Sequence, residues 1–333
     1  MANEVLTKLL LEYDKKKRKA EINLENKKQE IYIKIPRLQE IESQLNDFAI
    51  STAKNILNNS SHSLVELNKK VSELKNEKEK ILKENNISLE PEYECHICKD
   101  TGYIQNQNSA STLCACLKQK LLDISYNRSN ISNLSKENFE TFNINIFSDK
   151  VEPEKYKLNI SPRSNIINIK SKCKDFIKNF DDPNTKNLLF TGNTGLGKTF
   201  MTNCIANELI KNGKNVLYQT APVLLETVID NKMNKYKHST HDDFYKNVLE
   251  ADLLIIDDLG TECLNSMKLS ELFTILNTRL LNLNNKVTKT IISTNLNINN
   301  IFRNYEERIG SRIAGFYDIY YFFGDDLRLK PKF

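Results

Sequence analysis

The run Gly192-Asn193-Thr194-Gly195-Leu196-Gly197-Lys198-Thr199 constrains this chain more than any other feature. It fits G-x-x-x-x-G-K-[ST], a loop whose glycines let backbone N–H groups turn inward around phosphates. Lys198 is placed to reach β- and γ-phosphates, and the Thr199 hydroxyl to hold Mg²⁺. Such a loop needs a strand before it and a helix after it. Asn187-Leu188-Leu189-Phe190 reads as the buried strand. Phe200 to Leu209 reads as the helix, with Phe200, Met201, Cys204, Ile205 and Leu209 on one side and Lys211-Asn212-Gly213 as its stop. The expected ligand is ATP with Mg²⁺.

From about Ile166 to Phe333, strand and helix patterns alternate, as a parallel α/β sheet requires. Strands are expected at Leu188-Phe190, Val216-Tyr218, Leu253-Asp257, Thr290-Ser293 and Ile319-Phe322. Helices are expected to start near Ser164, Thr199, Ala221, Lys268 and Ile298. Leu253-Leu254-Ile255-Ile256 is an apolar strand ending in Asp257 and Asp258. Adjacent carboxylates there repel unless a cation sits between them. Asp257 is the candidate Mg²⁺ ligand, and Asp258 the group that orients and deprotonates an attacking water. A third strand, Thr290-Ile291-Ile292-Ser293-Thr294, ends in Asn295, whose amide suits a γ-phosphate sensor. Arg308 and Arg312 are four residues apart, so they share a helix face. They can bind carboxylates in cis or reach a neighbouring subunit's nucleotide. Gly324-Asp325-Asp326-Leu327-Arg328 places Arg328 as a further candidate nucleotide sensor.

The first half has a different texture. Residues up to about Asn86 contain one proline, Pro36, and no glycine. Leu38, Ile41, Leu45 and Phe48 recur at helical spacing. Leu64, Leu67, Val71, Leu74 and Ile81 follow a heptad, with Lys78 in the missing seam position. Two or three long helices folded as a hairpin or small bundle are expected over residues 1–90. They serve either as a structural, solvated element or as a docking arm for a partner protein. Then Cys95-His96-Ile97-Cys98 is followed after fifteen residues by Cys114-Ala115-Cys116. Paired cysteines in a cytosolic chain favour metal over disulfide. Four thiolates from Cys95, Cys98, Cys114 and Cys116 close a tetrahedral Zn²⁺ shell with no open position, which marks a structural zinc over residues 91–120. Reduced, packed cysteines are the alternative. His96 could replace one thiolate but is expected to point away. Cys173, Cys204 and Cys263 read as buried apolar positions. Residues 121–165, rich in Ser and Asn, read as a linker to an ATPase domain over 166–333. His238 and His241 lie in a polar stretch expected to be a surface loop.

The formal charge of +5 over 333 residues permits nucleic-acid contact without demanding it. No apolar run has membrane-spanning length and no signal-peptide pattern opens the chain, so a soluble cytoplasmic protein without membrane contact is expected.

Taken together, GNTGLGKT, LLIIDDLGTE, ISTN, ERIGSRI and the GDDLR ending resemble the AAA+ ATPases of the bacterial helicase-loader group, the DnaC/DnaI-type loaders and their IstB-like relatives. YECHICKDTGYI and CAC resemble the cysteine-rich insertion of DnaI-like members. The resemblance implies a RecA-like parallel sheet with nucleotide at subunit interfaces. It implies Lys198 and Thr199 at phosphate and Mg²⁺, Asp257 at Mg²⁺, Asp258 for water activation and Asn295 as first sensor. Arg312 matches the arginine finger with Arg308 beside it, and Arg328 the second sensor. The chain departs from the group's frequent Asp-Glu by ending its strand in Asp-Asp. The shorter second carboxylate implies slow, partner-stimulated hydrolysis. The implied partners are the replicative helicase hexamer, bound through the N-terminal region, single-stranded DNA, and further copies of the chain. Two alternatives stand beside this: an IstB-like transposition helper acting with a transposase on duplex DNA, and a nucleotide-binding scaffold without turnover.

Overall fold

A computed structural model describes residues 2–57, 64–105, 111–125, 136–233, 241–281 and 286–329. The chain divides into two compact units, Leu6–Thr112 as the first, and Leu113–Phe333 with Met1–Val5 as the second.

Three long helices make up most of the first unit: α1 (Ala2–Lys34), α2 (Pro36–Leu57) and α3 (Leu64–Glu84). Pro36 separates α1 from α2 because its ring fixes φ at the first helical position, where no N–H is needed. Leu38 and Ile41 are fully buried, and Val71, Leu74 and Ile81 are half-buried along the expected seam. Lys78 fills its seam position by donating to Glu42 at 2.5 Å, and Glu42 also accepts the Tyr32 hydroxyl. The polar interruption is therefore satisfied, which gives the helices a register. The side chains of Leu64 and Leu67 lie outside the described residues. A short strand, β1 (Tyr103–Gln105), pairs with β2 (Ser111–Leu113).

From Leu113 on, the second unit begins with α4 (Ala115–Ser125). It continues through a short α5 (Pro153–Tyr156) and α6 (Pro162–Lys178) into a five-stranded sheet. The strands are β3 (Asn187–Thr191), β4 (Val216–Thr220), β5 (Leu253–Leu259), β6 (Lys289–Thr294) and β7 (Tyr317–Tyr321). All described pairings are parallel, in the order β4-β5-β6-β3-β7. This order is in line with the parallel sheet that the resemblance implies. Each expected strand is present, extended or shifted by one or two residues.

Successive side chains of a strand point to opposite faces, and β5 shows it plainly. Leu253 and Ile255 join one core with Phe190, Met201 and Ile205, whereas Leu254 and Ile256 join the other with Leu189, Leu224 and Ile275. Helices α6 and α7 (Lys198–Lys211) contribute to the first core. The second is built by α8 (Ala221–Met233), α9 (His241–Glu250), α10 (Ser266–Leu280), α11 (Ile298–Asn304) and α12 (Glu306–Phe316). A sheet covered on both faces explains strands that are continuously apolar.

Three expectations change. The stretch read as linker is partly core: Phe142 and Phe147 are buried with Ile166 and Met201, and Lys170 Nζ lies 5.4 Å from the Phe142 ring centre. Scattered aromatics among Ser and Asn gave too weak a period to reveal this. Helix α4 also packs on the sheet. The Gln119 amide donates to Val216 O at 3.0 Å and accepts from Val216 N at 2.7 Å. That pairs backbone groups of the edge strand β4, which would otherwise be left open. Second, His241 opens a helix rather than lying in a loop, while His238 lies outside the described residues. Third, Cys173 and Cys204 are buried, but Cys263 is exposed. Its neighbour Glu262 turns inward to accept from Gly260 N at 2.9 Å and from the Tyr305 hydroxyl, which leaves Cys263 facing out.

Candidate nucleotide site

The loop leaves β3 and enters α7, with Gly192 at φ 142°, Gly195 at 74° and Gly197 at 86°. These are conformations that side chains resist, and Gly197 starts the helix from the left-handed region. A Cβ on Gly192 would sit 2.1 Å from Phe322 O, so backbone approach as well as conformation requires glycine there. Because β6 lies between β3 and β5, its end sits beside both loops. Thr191 Oγ1 donates to Leu296 O at 2.6 Å and Thr294 Oγ1 to Leu259 O at 2.5 Å, tying the three strand ends together.

Lys198 is buried, with Nζ donating to Gly192 O at 2.6 Å, Asn193 O at 2.7 Å and Asn295 Oδ1 at 2.9 Å. Burial pushes its ammonium down to about 8, while Asp258 and Asp257 pull the other way. The three acceptors are neutral, so the charge stays under-compensated, which suits a group whose natural partner is an anion. Asn295 therefore meets the phosphate-loop lysine directly.

Asp257 is buried at the end of β5. Its Oδ2 accepts from Thr199 Oγ1 at 3.1 Å and from the Tyr218 hydroxyl. Its Oδ1 is buried and has no hydrogen-bond partner. An orphaned carboxylate oxygen beside a hydroxyl is the donor set a hard divalent cation takes, so these residues fit Mg²⁺. The pairing of β5 with β6 shifts register between Ile256 and Leu259, and Asp258 adopts φ 55° in that irregularity. Asp258 is exposed where Asp257 is buried. Desolvation and the adjacent Asp257 raise its carboxyl above the ordinary value, opposed by Lys198.

Arg308 and Arg312 share a face of α12, as expected. Their guanidinium carbons lie 4.7 and 6.0 Å from the Phe273 ring centre on α10. Arg308 also pairs with Glu306 at 2.8 Å, and Arg312 donates to Asn277 Oδ1 at 3.1 Å. Among the described residues, no hydrogen bond joins either to Lys198, Asp257 or Asp258. Arg328 lies on the C-terminal segment, paired with Asp326 at 2.9 Å and near enough to Lys198 to help lower its ammonium.

Two residues escaped the sequence reading. Tyr218, a buried tyrosine on β4, steadies Asp257; it reads as an ordinary strand aromatic until β4 and β5 are paired. Arg279 is wholly buried, with five hydrogen bonds that reach the carbonyls closing α9, the carbonyl of Lys289 and the hydroxyl of Thr290. Its sequence position in α10 gives no sign of this.

The sulfurs of Cys95, Cys98, Cys114 and Cys116 all lie within 4.8 Å of one another. A tetrahedral shell with Zn–S bonds of about 2.3 Å has edges of about 3.8 Å. Around the first pair, Lys99, Asp100 and Gly102 take positive φ, Gly102 N donates to Cys98 Sγ at 3.4 Å, and the Asp100 carboxylate accepts from Glu94 N and Cys95 N at 2.9 Å each. The backbone is thus wound around the sulfurs, and the cluster fits zinc. His96 is exposed and is not one of the converging residues.

Residues 154–307, just under half of the chain, match the family described as IstB-like ATP binding protein. A 72-residue stretch is 39% identical to the chromosomal replication initiator protein DnaA of Helicobacter hepaticus, covering 22% of this chain and 15% of that protein. An 89-residue stretch is 34% identical to the replicative helicase loader DnaC of Buchnera aphidicola subsp. Baizongia pistaciae, covering 27% of this chain and 35% of the relative. The chain thus spans well under half the length of both relatives. Among solved structures, that of the DnaC helicase loader is 20% identical, with a TM-score of 0.45, over 57% of this chain and 99% of that one. No helix among the described residues is long and apolar enough to cross a membrane.

Proposed function

From the IstB/DnaC-like ATP-binding domain that residues 154–307 carry, we propose that this chain is an ATP-hydrolysing helicase loader. It binds the replicative helicase hexamer and single-stranded DNA during replication initiation or restart. The supporting observation is the convergence of Lys198, Asn295, Asp257 and Asp258 at the ends of three adjacent strands.

In this reading the inward N–H groups of residues 192–199 and the Lys198 ammonium take the β- and γ-phosphates. Thr199 and Asp257, steadied by Tyr218, hold Mg²⁺. A bound Mg²⁺ neutralises charge on the phosphoryl oxygens. Asp258, its carboxyl raised, orients and deprotonates the attacking water, and Asn295 spans from Lys198 toward the γ-phosphate. Arg312, with Arg308 beside it, acts on the nucleotide of a neighbouring copy, which fits the absence, among the described residues, of a hydrogen bond from either to Lys198, Asp257 or Asp258. Turnover is slow and depends on partners. Residues 1–90 dock the helicase, and zinc orders residues 91–120.

Light scattering of this chain mixed with the replicative helicase of its own organism tests the reading. A defined co-complex whose stability depends on ATP is expected. No complex in any nucleotide state removes the loader role. It would then favour the transposition helper, the reading closest to the matched family's description, for which complex formation with a transposase on duplex DNA is the corresponding result. The zinc assignment stands separately. Purified chain is expected to carry about one zinc, and chelation to expose residues 91–120 to protease. Metal-free protein with unaltered protease sensitivity would refute it.

A further inference from the structure

The segment from Phe322 to Leu329 lies across the phosphate loop. Phe322 N donates to Thr191 O at 2.7 Å and Leu327 N to Gly195 O at 2.9 Å. Gly195 is not one of the two glycines that the loop pattern specifies. The structure gives it a separate reason: a Cβ there would sit 1.8 Å from Asp326 Oδ1. A carboxylate therefore rests against the rim of a loop shaped to collect phosphate. Arg328 holds it in a two-pronged pair, Nε to Oδ1 at 3.1 Å and Nη2 to Oδ2 at 2.9 Å, with Arg328 N on Oδ1 at 3.0 Å. On the N-terminal side of Asp326 the segment is anchored independently. Phe322 is buried in the core, the Phe323 ring centre is 5.2 Å from that of Tyr156, and Asp325 pairs with Lys155 at 2.7 Å.

We propose that Asp326 is a positioning residue that sets discrimination by phosphate number: its carboxylate occupies Arg328 and faces the loop until a sufficiently charged nucleotide displaces it. The argument rests on the ATP-binding reading above and extends it to this residue. Arg328 has one guanidinium fork and two anionic claimants, Asp326 and the terminal phosphates. Each added phosphate strengthens the second claimant and repels the first. A triphosphate thus wins the arginine where a monophosphate does not. The pair is partly exposed, so its release is within reach of a ligand's charge. The anchors at Phe322, Phe323 and Asp325 let the exchange happen without detaching the segment.

The test uses the full chain and fluorescently labelled ATP, ADP and AMP at fixed Mg²⁺. Asp326→Asn keeps the shape and the acceptor for Arg328 N but removes the charge. It is expected to tighten ATP binding by about threefold to tenfold, ADP binding less, and to leave AMP binding unchanged. In an Arg328→Ala background, most of that gain should vanish. A gain equal for all three nucleotides, no gain, or weaker binding overturns the proposal and returns Asp326 to a support of the loop. Wild-type chain that binds none of the three would instead overturn the ATP-binding reading on which this one rests.

Discussion

Replacing Lys198 with alanine lowers ATP affinity by about 30-fold or more while leaving the empty protein no less stable. The first part follows from losing the cation of the phosphate loop, since a charge-assisted contact of this kind carries about 2–3 kcal/mol. The second part comes from the structure. Burial holds the ammonium down near 8 against neutral acceptors, so below that pH Lys198 is charged in the fold and carries the full cost of its burial relative to the unfolded chain. Removing it relieves that penalty and offsets the hydrogen bonds lost. Parallel measurement of ATP affinity and melting temperature separates the two. Unchanged affinity refutes the role of Lys198, and a clear drop in melting temperature refutes the account of its burial. The same residue sets a pH dependence. Its pKa in the empty fold lies below the value with polyphosphate bound, so binding takes up a proton once the pH exceeds about 8. ATP affinity is therefore full below that pH and falls as pH rises through it, by at most about tenfold per unit. The alanine variant should lose that slope.

Replacing Arg279 with methionine destabilises the second unit by about 3 kcal/mol, because several buried acceptors lose their donor at once, each costing about 1–3 kcal/mol, read as a shift in the urea midpoint. The methionine fills much of the volume, so the loss is polar. The guanidinium donates to the carbonyls of Val248, Leu249, Ala251 and Lys289 and to Thr290 Oγ1, at 2.6 to 3.1 Å. Three of those carbonyls close α9, where the helix leaves acceptors unsatisfied and its dipole favours a cation. Burial pushes the guanidinium down to about 10, with Asp252 opposing, so it is still charged at neutral pH. Lysine is a poor substitute, because a single ammonium cannot span α9 and β6 together. A loss below about 1 kcal/mol would mean that these carbonyls find other donors. ATP affinity, referred to folded protein, should change little, which distinguishes this variant from the loss of Lys198.

The two variants mark the limit of what could be read from residue order. Lys198, Thr199, Asp257, Asp258 and Asn295 were legible because each belongs to a short local pattern at the end of an apolar run, and such patterns state their own backbone context. The sheet was legible for the same reason: continuous apolar strands alternating with helices leave few arrangements other than a parallel sheet covered on both faces. Arg279 and Tyr218 were not, because their partners come from other elements, 31 residues away for Val248 and 39 for Asp257. The packing of Phe142 and Phe147 was missed because irregular backbone has no period for apolar residues to follow.

What the sequence alone determined, then, was the kind of domain and which groups the fold gathers at the strand ends, since loop, strand and carboxylate chemistry is encoded within a few consecutive residues. Tertiary structure alone decided how those groups are held. Strand order brought Asn295 onto Lys198, chain pairing brought Tyr218 onto Asp257, and the return of the C-terminal segment laid Asp326 against Gly195. The physical reason is range. Backbone conformation responds to neighbours in sequence, whereas burial, charge compensation and hydrogen-bond satisfaction depend on which distant segments the fold brings together.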